Sequence, residues 1–279
     1  MAKTLKQRKN REPKLAELSD RHRLYELSVQ CPEAEVDFVD ATFKRLRGRW
    51  AELLREDFCG TASVCCEWVR RRRKNRAIGV DLDPEVLAWG REHNLSALTS
   101  AERARVDLRQ QNVLTSRSEP VDVVLAMNFS YWLLQDRKLL LRYFKKLHKV
   151  LKEDGIFFLD AYGGYDSHRE IREKRTIDDG AKGFTYVWDQ AQFDPITHNM
   201  ICHISFRFPD GSKMDKAFSY DWRLWTLPEV RDLLEEAGFA RVTAYWQGWD
   251  EHGEPDGDFK PADRGVADAG WICYLTAEK

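Results

Sequence analysis

One stretch near residue 55 constrains the fold of this chain more than any other segment. Residues 51–57 have the apolar content of a strand, and a helix follows that opens at Gly60-Thr61. A second apolar strand, residues 77–81, ends at Asp81, about 20 residues beyond the glycine turn, as in a nucleotide-binding strand-helix-strand unit. This arrangement predicts a ligand site at the carboxyl ends of parallel strands.

The alternation of strands and helices continues along the next part of the chain. Further strand patterns cover residues 105–110, 121–127 and 156–159. A long amphipathic helix precedes the last of these strands and is expected to end at Asp154-Gly155. Such alternation predicts an α/β fold with a parallel sheet, whose core consists of residues 50–162 and 226–279.

The pattern changes in the segment that separates the two parts of this core. Residues 163–225 hold longer strand-like stretches and turn signals such as Asp194-Pro195, which predicts an antiparallel β insertion on the substrate side. The stretches are residues 184–189, 200–208 and 213–222. A helix over residues 227–237 and two strands, residues 240–246 and 271–277, then return to the core. The acidic loop between these strands is expected to be mobile or to act as a lid.

The N-terminal segment divides into a tail and two helices. Residues 1–14 are rich in basic side chains, which predicts a disordered basic tail. Residues 15–49 carry two helical patterns, and the second begins near Pro32.

Bulk composition narrows the classes of function. The net charge of −1 at pH 7 gives no overall field that favours nucleic acid or an acidic membrane. The longest apolar runs are strand-sized and no secretory signal is visible, so a cytoplasmic protein without a membrane span is expected. None of the six cysteines forms a CxxC pair and the seven histidines lack metal-ligand spacing, so no metal site is predicted.

The order of motifs resembles that of the class I S-adenosylmethionine-dependent methyltransferases. Cys59-Gly60-Thr61 is similar to the centre of their glycine turn, Gly79-Val80-Asp81 to the acid of their second strand, and Asn112-Val113 to their adenine-binding position. The resemblance implies a Rossmann-like seven-stranded sheet in the order 3-2-1-4-5-7-6, with helices on both faces and strand 7 antiparallel. It also implies S-adenosyl-L-methionine as the cofactor.

Three positions depart from the pattern of this family. Phe58 and Ala62 stand where the outer glycines of the turn lie, and Phe58 is expected to keep a negative φ. Asn112 replaces an acid, and its amide can accept a hydrogen bond from adenine as well as donate one. These changes predict a divergent member of the family.

The resemblance implies a set of cofactor-binding residues. Asp81 is expected to bind the ribose hydroxyls, Leu82 to pack on adenine, and Gly60 to let the backbone approach the ligand. An N-cap for the following helix is the alternative role of Asp81. The N-terminal helices are expected to cover the cofactor, with Tyr25 near the sulfonium. The full set is Tyr25, Arg55, Glu56, Phe58, Gly60, Asp81, Leu82, Asn112, Val113 and Asn128.

Three charged residues, Arg55-Glu56-Asp57, lie together at the end of the first strand. Burying them is costly unless they are paired or bind a ligand. Two interpretations of Arg55 remain open, an internal pair with Asp57 and a contact with the methionyl carboxylate of the cofactor. Glu56 is assigned to the cofactor.

Candidate catalytic residues follow the fourth and fifth strands. Asn128-Phe129-Ser130-Tyr131 resembles, weakly, the NPPY-type motif of amino-methylating relatives. Tyr131, Tyr165 and His168 are the groups predicted to orient or deprotonate the acceptor. A structural role is the competing interpretation for each of them.

The sequence therefore predicts methyl transfer to a small-molecule acceptor, on nitrogen or oxygen. Aromatic residues of the insertion are expected to form the wall of the acceptor site, with Arg207 or Arg223 binding an acid on the substrate. A methyltransferase of RNA or protein and a non-catalytic binding protein are the alternatives. The basic run over residues 70–74 lies at the far end of the first core helix, so a nucleic-acid partner is not favoured.

Overall fold

The structure is a computed structural model that describes residues 12–249, 251 and 255–279. The helices, in chain order, are α1 (Leu15–Leu18), α2 (Arg21–Val29), α3 (Pro32–Arg47), α4 (Ser63–Arg71), α5 (Pro84–Gly90), α6 (Ser100–Arg103), α7 (Arg137–Val150) and α8 (Leu227–Ala237). The strands are β1 (Leu53–Asp57), β2 (Arg76–Asp81), β3 (Val106–Gln110), β4 (Val121–Ala126), β5 (Leu151–Gly163), β6 (Arg172–Ile177), β7 (Phe184–Phe193), β8 (Asn199–Arg207), β9 (Lys213–Arg223), β10 (Arg241–Trp249), β11 (Pro255–Pro261) and β12 (Trp271–Glu278). Most of the predicted basic tail, residues 1–11, lies outside the described residues.

The central sheet has the predicted strand order with one addition. Its eight strands run in the order β11-β10-β12-β5-β4-β1-β2-β3. Strands β3, β2, β1, β4 and β5 are mutually parallel, while β12 pairs antiparallel with β5 and with β10. The order 3-2-1-4-5-7-6 is therefore confirmed, with β12 as strand 7. The additional edge strand β11 forms within the loop that the sequence predicted to be mobile or a lid.

Alternating side chains of the central strands build two apolar cores, one on each face of the sheet. On one face, Leu54 and Phe158 pack with α3 and α4, whose buried residues include Trp68. On the other face, Leu53 and Phe157 pack with α7 and α8. Strands buried on both faces need near-continuous apolar sequence, which explains the run in β4. No helix in the described ranges is long and apolar enough to cross a membrane.

The end of α7 differs from the sequence prediction. The helix ends at Val150, and Leu151 already has the extended conformation with φ −68° and ψ 143°. Asp154-Gly155, which was expected to end the helix, instead lies inside β5. A register shift between β4 and β5 in this region absorbs the extra residues, so the helix can stop earlier than its apolar pattern indicates.

The insertion forms a separate antiparallel sheet in the order β6-β7-β8-β9. Strands β7 and β9 contain the predicted stretches 184–189 and 213–222, and β8 covers the stretch 200–208 except for Phe208. The sequence did not reveal β6, because its residues Arg172–Ile177 are mostly charged and exposed and so show no apolar alternation.

Helix α2 connects this second sheet to the central one. Glu26 accepts hydrogen bonds from Thr61 Oγ1 at 2.7 Å and from Asn94 Nδ2 at 2.6 Å, which fastens α2 to the glycine turn. On the opposite side, Leu24 and Tyr25 pack into the apolar cluster of the antiparallel sheet. The helix thus closes the space above the carboxyl ends of the central strands.

Candidate active site

Two adjoining cavities open at the carboxyl edge of the central sheet. The strand-end cavity has a volume of about 570 Å³ and lies over the ends of β1, β2, β3 and β4. The aromatic cavity has a volume of about 380 Å³ and lies between the central sheet and the antiparallel sheet. Four residues line both cavities and form what we call the junction, namely Tyr25, Asn128, Tyr220 and Trp222. Two ligands in these cavities would therefore meet at the junction.

Asp81, the last residue of β2, lines the strand-end cavity. Its Oδ2 accepts from the backbone N–H of Gly60 at 2.8 Å, and its Oδ1 accepts from the N–H of Asp83 at 2.9 Å. Each carboxylate oxygen retains a lone pair for a further donor. The N-cap of α5 is Asp83, which accepts from the N–H of Glu85 at 2.8 Å, so the alternative role predicted for Asp81 belongs to its neighbour.

The glycine turn keeps its left-handed backbone without its outer glycines. Phe58, Gly60 and Ala62 have φ values of 60°, 52° and 61°, so the prediction of a negative φ at Phe58 is wrong. Backbone hydrogen bonds from Cys59 N to Val80 O at 3.1 Å and from Ala62 N to Cys59 O at 2.8 Å hold this conformation. The left-handed region costs a non-glycine residue roughly 1–2 kcal/mol, and strain of this kind often accompanies functional sites.

Four apolar side chains form a part of the lining of the strand-end cavity that we call the apolar slot. Leu82, Pro84, Val113 and Leu114 line it together with Asn112. The side-chain Oδ1 of Asn112 accepts from the N–H of Leu114 at 2.9 Å, which leaves its amide nitrogen to donate. A flat heteroaromatic ring with one acceptor atom fits this chemistry.

Arg55 and Glu56 line neither cavity, contrary to their predicted contact with the cofactor. Arg55 is fully buried and its Nε donates to Asp57 Oδ1 at 2.7 Å, which is the internal pair that the sequence left open. Glu56 accepts from the backbone N–H of Cys65 at 3.2 Å and from its Sγ at 3.0 Å. Gly60 also lines neither cavity, and its N–H donates to Asp81, which lines the strand-end cavity.

A buried carboxylate that the sequence analysis missed lies close enough to Tyr25, Glu56 and Asp160 to interact with them electrostatically. Glu35 of α3 is 6% exposed, and its Oε2 has no hydrogen-bond partner among the described residues. Burial, followed by the charges of Glu56 and Asp160, raises the pKa of Glu35 to about 8. Burial likewise raises the pKa of Glu56 and of Asp160 to about 7. The sequence does contain an indication that Glu35 is buried, because Glu35 lies four residues before Val39 and therefore on the apolar face of its helix.

The loop after β4 is held by Asp160 at the end of β5. Asn128 and Phe129 have φ values of 57° and 56°, two consecutive left-handed residues that are not glycine. The Asp160 carboxylate accepts from the N–H of Asn128 at 2.7 Å and from that of Phe129 at 2.8 Å. Both residues line the aromatic cavity, so Asp160 positions part of its wall without touching its contents.

The three predicted catalytic residues lie outside the lining of both cavities. Tyr131 is fully buried, and its hydroxyl donates to the backbone oxygen of Asp160 at 2.9 Å. Tyr165 is 64% exposed. The ring of His168 packs against Phe193 at 5.1 Å between centroids. Tyr131 and His168 thus make internal contacts, Tyr165 faces solvent, and none of the three lines either cavity.

Aromatic side chains of the insertion do form the wall of the aromatic cavity. Tyr220 stacks on Trp222 at 4.3 Å, and Trp188 lies 6.3 Å and 6.2 Å from these rings. By contrast, Arg207 and Arg223 line neither cavity. Arg207 pairs with Asp215 at 2.6 Å and Arg223 with Glu229 at 2.9 Å, so their predicted role in binding a substrate acid is not supported by their positions.

Comparisons with known proteins agree with this architecture. Residues 57–159 match a family model described as a methyltransferase domain. The putative methyltransferase YqeM of Bacillus subtilis is 25% identical over 191 residues, which cover 67% of this chain and 73% of YqeM.

Two solved structures show the same fold over almost the whole chain. A S-adenosylmethionine-dependent methyltransferase from Clostridium acetobutylicum has a TM-score of 0.65 at 17% identity and covers 92% of this chain and 96% of its own. CalS10, an amino pentose methyltransferase from Micromonospora echinaspora, has a TM-score of 0.65 at 15% identity, with coverages of 92% and 95%. The chain thus has the fold of these S-adenosylmethionine-dependent methyltransferases, and residues 57–159 within it match a methyltransferase domain.

Proposed function

We propose that this enzyme transfers the methyl group of S-adenosylmethionine to a small-molecule acceptor in the aromatic cavity. The observation that carries the proposal is the junction, where Tyr25, Asn128, Tyr220 and Trp222 line both cavities. A donor in the strand-end cavity and an acceptor in the aromatic cavity would face each other there. Methyl transfer needs this alignment and the exclusion of water more than it needs a catalytic group.

The residues of the strand-end cavity fit S-adenosylmethionine. Asp81 has lone pairs available for two ribose hydroxyls, and the apolar slot beside Leu82 and Asn112 suits adenine. The cofactor carries positive charge on its sulfonium and ammonium groups. Burial raises the pKa of Glu35 to about 8 and of Glu56 and Asp160 to about 7, and a cation bound close to these carboxyl groups would favour their charged forms.

The size and walls of the aromatic cavity support a small acceptor. A volume of about 380 Å³ is in the range of small-molecule sites. Structures with the same fold include a sugar N-methyltransferase, KedS8, and a glycopeptide N-methyltransferase, MtfA. For this chain, methylation of a small molecule is accordingly favoured over methylation of RNA or protein.

Calorimetric titration with S-adenosylmethionine tests the donor half of the proposal. Asp81→Ala is expected to weaken binding by about 100-fold or more, since hydrogen bonds to a charged group contribute roughly 1.5–3 kcal/mol each. Asp81→Asn retains an oxygen that can accept from the N–H of Gly60. This variant therefore distinguishes a disturbed glycine turn from the loss of hydrogen bonds to the ribose. Arg73→Ala, an exposed change at the end of α4, is the matched control. Absence of binding at millimolar ligand, or equal loss in the control, contradicts the assignment.

The proposed class of acceptor is tested with S-adenosylmethionine that carries a label in its methyl group. The labelled cofactor is incubated with the enzyme and with separated small-molecule, RNA and protein fractions of a cell extract. Transfer is expected in the small-molecule fraction and is expected to be lost in Asp81→Ala. Transfer confined to the RNA or protein fraction would overturn the proposed acceptor class while leaving the methyl donor in place.

A further inference from the structure

The charged side chains that line the aromatic cavity are both acidic. Asp166 and Glu173 line it, whereas no lysine, arginine or histidine does so within the described part of the chain. Asp166 is neutralised by Arg169, whose Nη1 lies 2.8 Å from its Oδ1. Glu173 has no ion pair in the described ranges. The lining of the cavity therefore includes one carboxylate, that of Glu173, without an ion pair.

Glu173 stands beside the aromatic wall. It lies on β6 directly opposite Trp188 of β7, so the two side chains share a face of the antiparallel sheet. Tyr186, two residues from Trp188, lies diagonally on the same face and also lines the cavity. Aromatic faces attract cations through their quadrupole, and a neighbouring carboxylate adds to this attraction. This wall is matched to a positively charged group.

The cations nearest to this wall already have partners among the described residues. Arg175, on the same face two residues beyond Glu173, lies over the ring of Tyr186 at 5.4 Å and donates to the backbone oxygen of Ser28. Arg207 and Arg223 pair with carboxylates outside the cavity. An anionic acceptor would thus lose its hydration without gaining a partner, which is unfavourable.

The junction holds no side chain suited to deprotonate an alcohol. Its groups are two phenols, one amide and one indole. The phenols of Tyr25 and Tyr220 share a hydrogen bond; burial raises the pKa of Tyr25 to about 12 and that of Tyr220 well above its ordinary value. Both are protonated at neutral pH. An amine supplies its own lone pair and needs only the loss of a proton to solvent.

We propose that the acceptor is an amine that enters the aromatic cavity as a cation beside Glu173 and is methylated on nitrogen. This inference rests on the proposed function and names its substrate class. The ammonium form releases one proton to water, and the nitrogen lone pair then forms the new bond to the methyl carbon. The bond from that carbon to sulfur breaks with its electron pair retained on sulfur, which yields the secondary ammonium product and S-adenosylhomocysteine.

Matched probes of different charge test this assignment. Phenethylamine, phenylethanol and phenylpropanoate share an aromatic ring and differ in the terminal group. Their binding to enzyme saturated with S-adenosylhomocysteine is followed by quenching of tryptophan fluorescence, since Trp188 and Trp222 line the cavity. The amine is expected to bind at least about 10-fold more tightly than either other probe, and mass spectrometry with S-adenosylmethionine is expected to show its N-methyl product.

Variants of Glu173 show whether its charge determines which probe the aromatic cavity prefers. Glu173→Gln is expected to weaken amine binding by about 10-fold, and Glu173→Arg to reverse the preference towards phenylpropanoate. Glu170→Gln removes the same charge from an exposed neighbour outside the cavity lining and is expected to change nothing. Equal binding of the probes, failure of all three, or unchanged selectivity in Glu173→Arg overturns the inference. Because binding of S-adenosylmethionine is measured separately, such failure leaves the proposed methyltransferase function intact.

Discussion

The strand-end cavity and the aromatic cavity are built in different ways. The strand-end cavity takes its residues from consecutive strand ends, such as Phe58 after β1, Asp81 at the end of β2 and Asn112 after β3. The aromatic cavity combines α2, the antiparallel sheet and the residues around Trp271, which are far apart in sequence. Short-range sequence signals therefore suffice to locate the first cavity, whereas the second exists only after long-range packing.

The two cavities also differ in how their shape is held. In the strand-end cavity, backbone hydrogen bonds within a short turn and one carboxylate, Asp81, set the geometry. In the aromatic cavity, Asp160 of β5 holds the strained residues Asn128 and Phe129, and Asn128 is shared with the strand-end cavity. Removing one side chain should accordingly affect the two cavities to different degrees.

The largest effect is expected for Asp160→Ala. The substitution removes two hydrogen bonds to the left-handed residues Asn128 and Phe129 and leaves their N–H groups without this partner. The cost is roughly 2–4 kcal/mol of local stability. Hydrogen–deuterium exchange of the loop over residues 127–130 is expected to accelerate at least about 10-fold, while exchange in the glycine turn stays unchanged.

Two further variants make the Asp160 result specific. Asp160→Asn keeps one acceptor and is expected to restore part of the protection of the loop. Asp194→Ala removes another aspartate that accepts a backbone N–H, from Ile196 at 2.8 Å, but in a turn outside both cavities. Equal acceleration in the Asp194 variant, or none in Asp160→Ala, would show that Asp160 does not hold the loop.

A smaller effect, dependent on pH, is expected for Glu35→Gln. The pKa of Glu35 is about 8 in the folded protein against an ordinary 4.5, so the folded state retains a proton that the unfolded state releases. Stability from the protonated form is complete below about pH 4.5 and is lost as the pH rises towards 8. The variant, which stays neutral, should be more stable than the wild type by roughly 1–3 kcal/mol at pH 8 and nearly equal to it at pH 4.5.

Denaturant unfolding at the two pH values measures this difference. Glu33→Gln, an exposed change on the same helix, is the matched control and should show no such pH dependence. If Glu35→Gln destabilises the protein equally at both pH values, the carboxyl group of Glu35 makes a stabilising contact and its ionisation does not destabilise the folded state. Saturating S-adenosylmethionine should reduce the advantage of the variant if the positive charge of the cofactor lies close to Glu35.

The fold was accessible from the sequence because its signals are local. Buried strands such as β4 need continuous apolar runs, and helices such as α7 need a regular stripe. The errors occur where tertiary pairing overrides local preference. Strands β6 and β11 form by pairing with neighbours despite polar sequences, and the turn at Asp154-Gly155 is absorbed into β5.

The site residues, too, could be predicted where local sequence patterns determine their position and not where long-range packing does. Residues directly after strand ends, such as Asp81 and Asn112, line the strand-end cavity, as the resemblance implied. Tyr131 lay at the expected edge too, but its side chain turns into the core, and a single sequence does not show that direction. Nothing in the sequence indicated that Glu173 lines a cavity, because it lies on an exposed, mostly charged strand. Its place beside the aromatic wall follows only from the pairing of Glu173 with Trp188 in the folded sheet.

The smallest effect is expected for Ala62→Gly, which restores a glycine to the turn. Glycine relieves the left-handed φ of 61°, worth about 1 kcal/mol, but it deletes a fully buried methyl group worth about 0.8 kcal/mol. The two terms nearly cancel, so thermal stability should change little and the affinity for S-adenosylmethionine should stay within about threefold. Lys216→Gly, at an exposed residue with φ 49°, relieves the same kind of strain without loss of burial and should stabilise the protein. If Ala62→Gly strengthens cofactor binding more than about 10-fold, the altered turn limits the strand-end cavity, and its geometry depends on more than the hydrogen bonds that hold it.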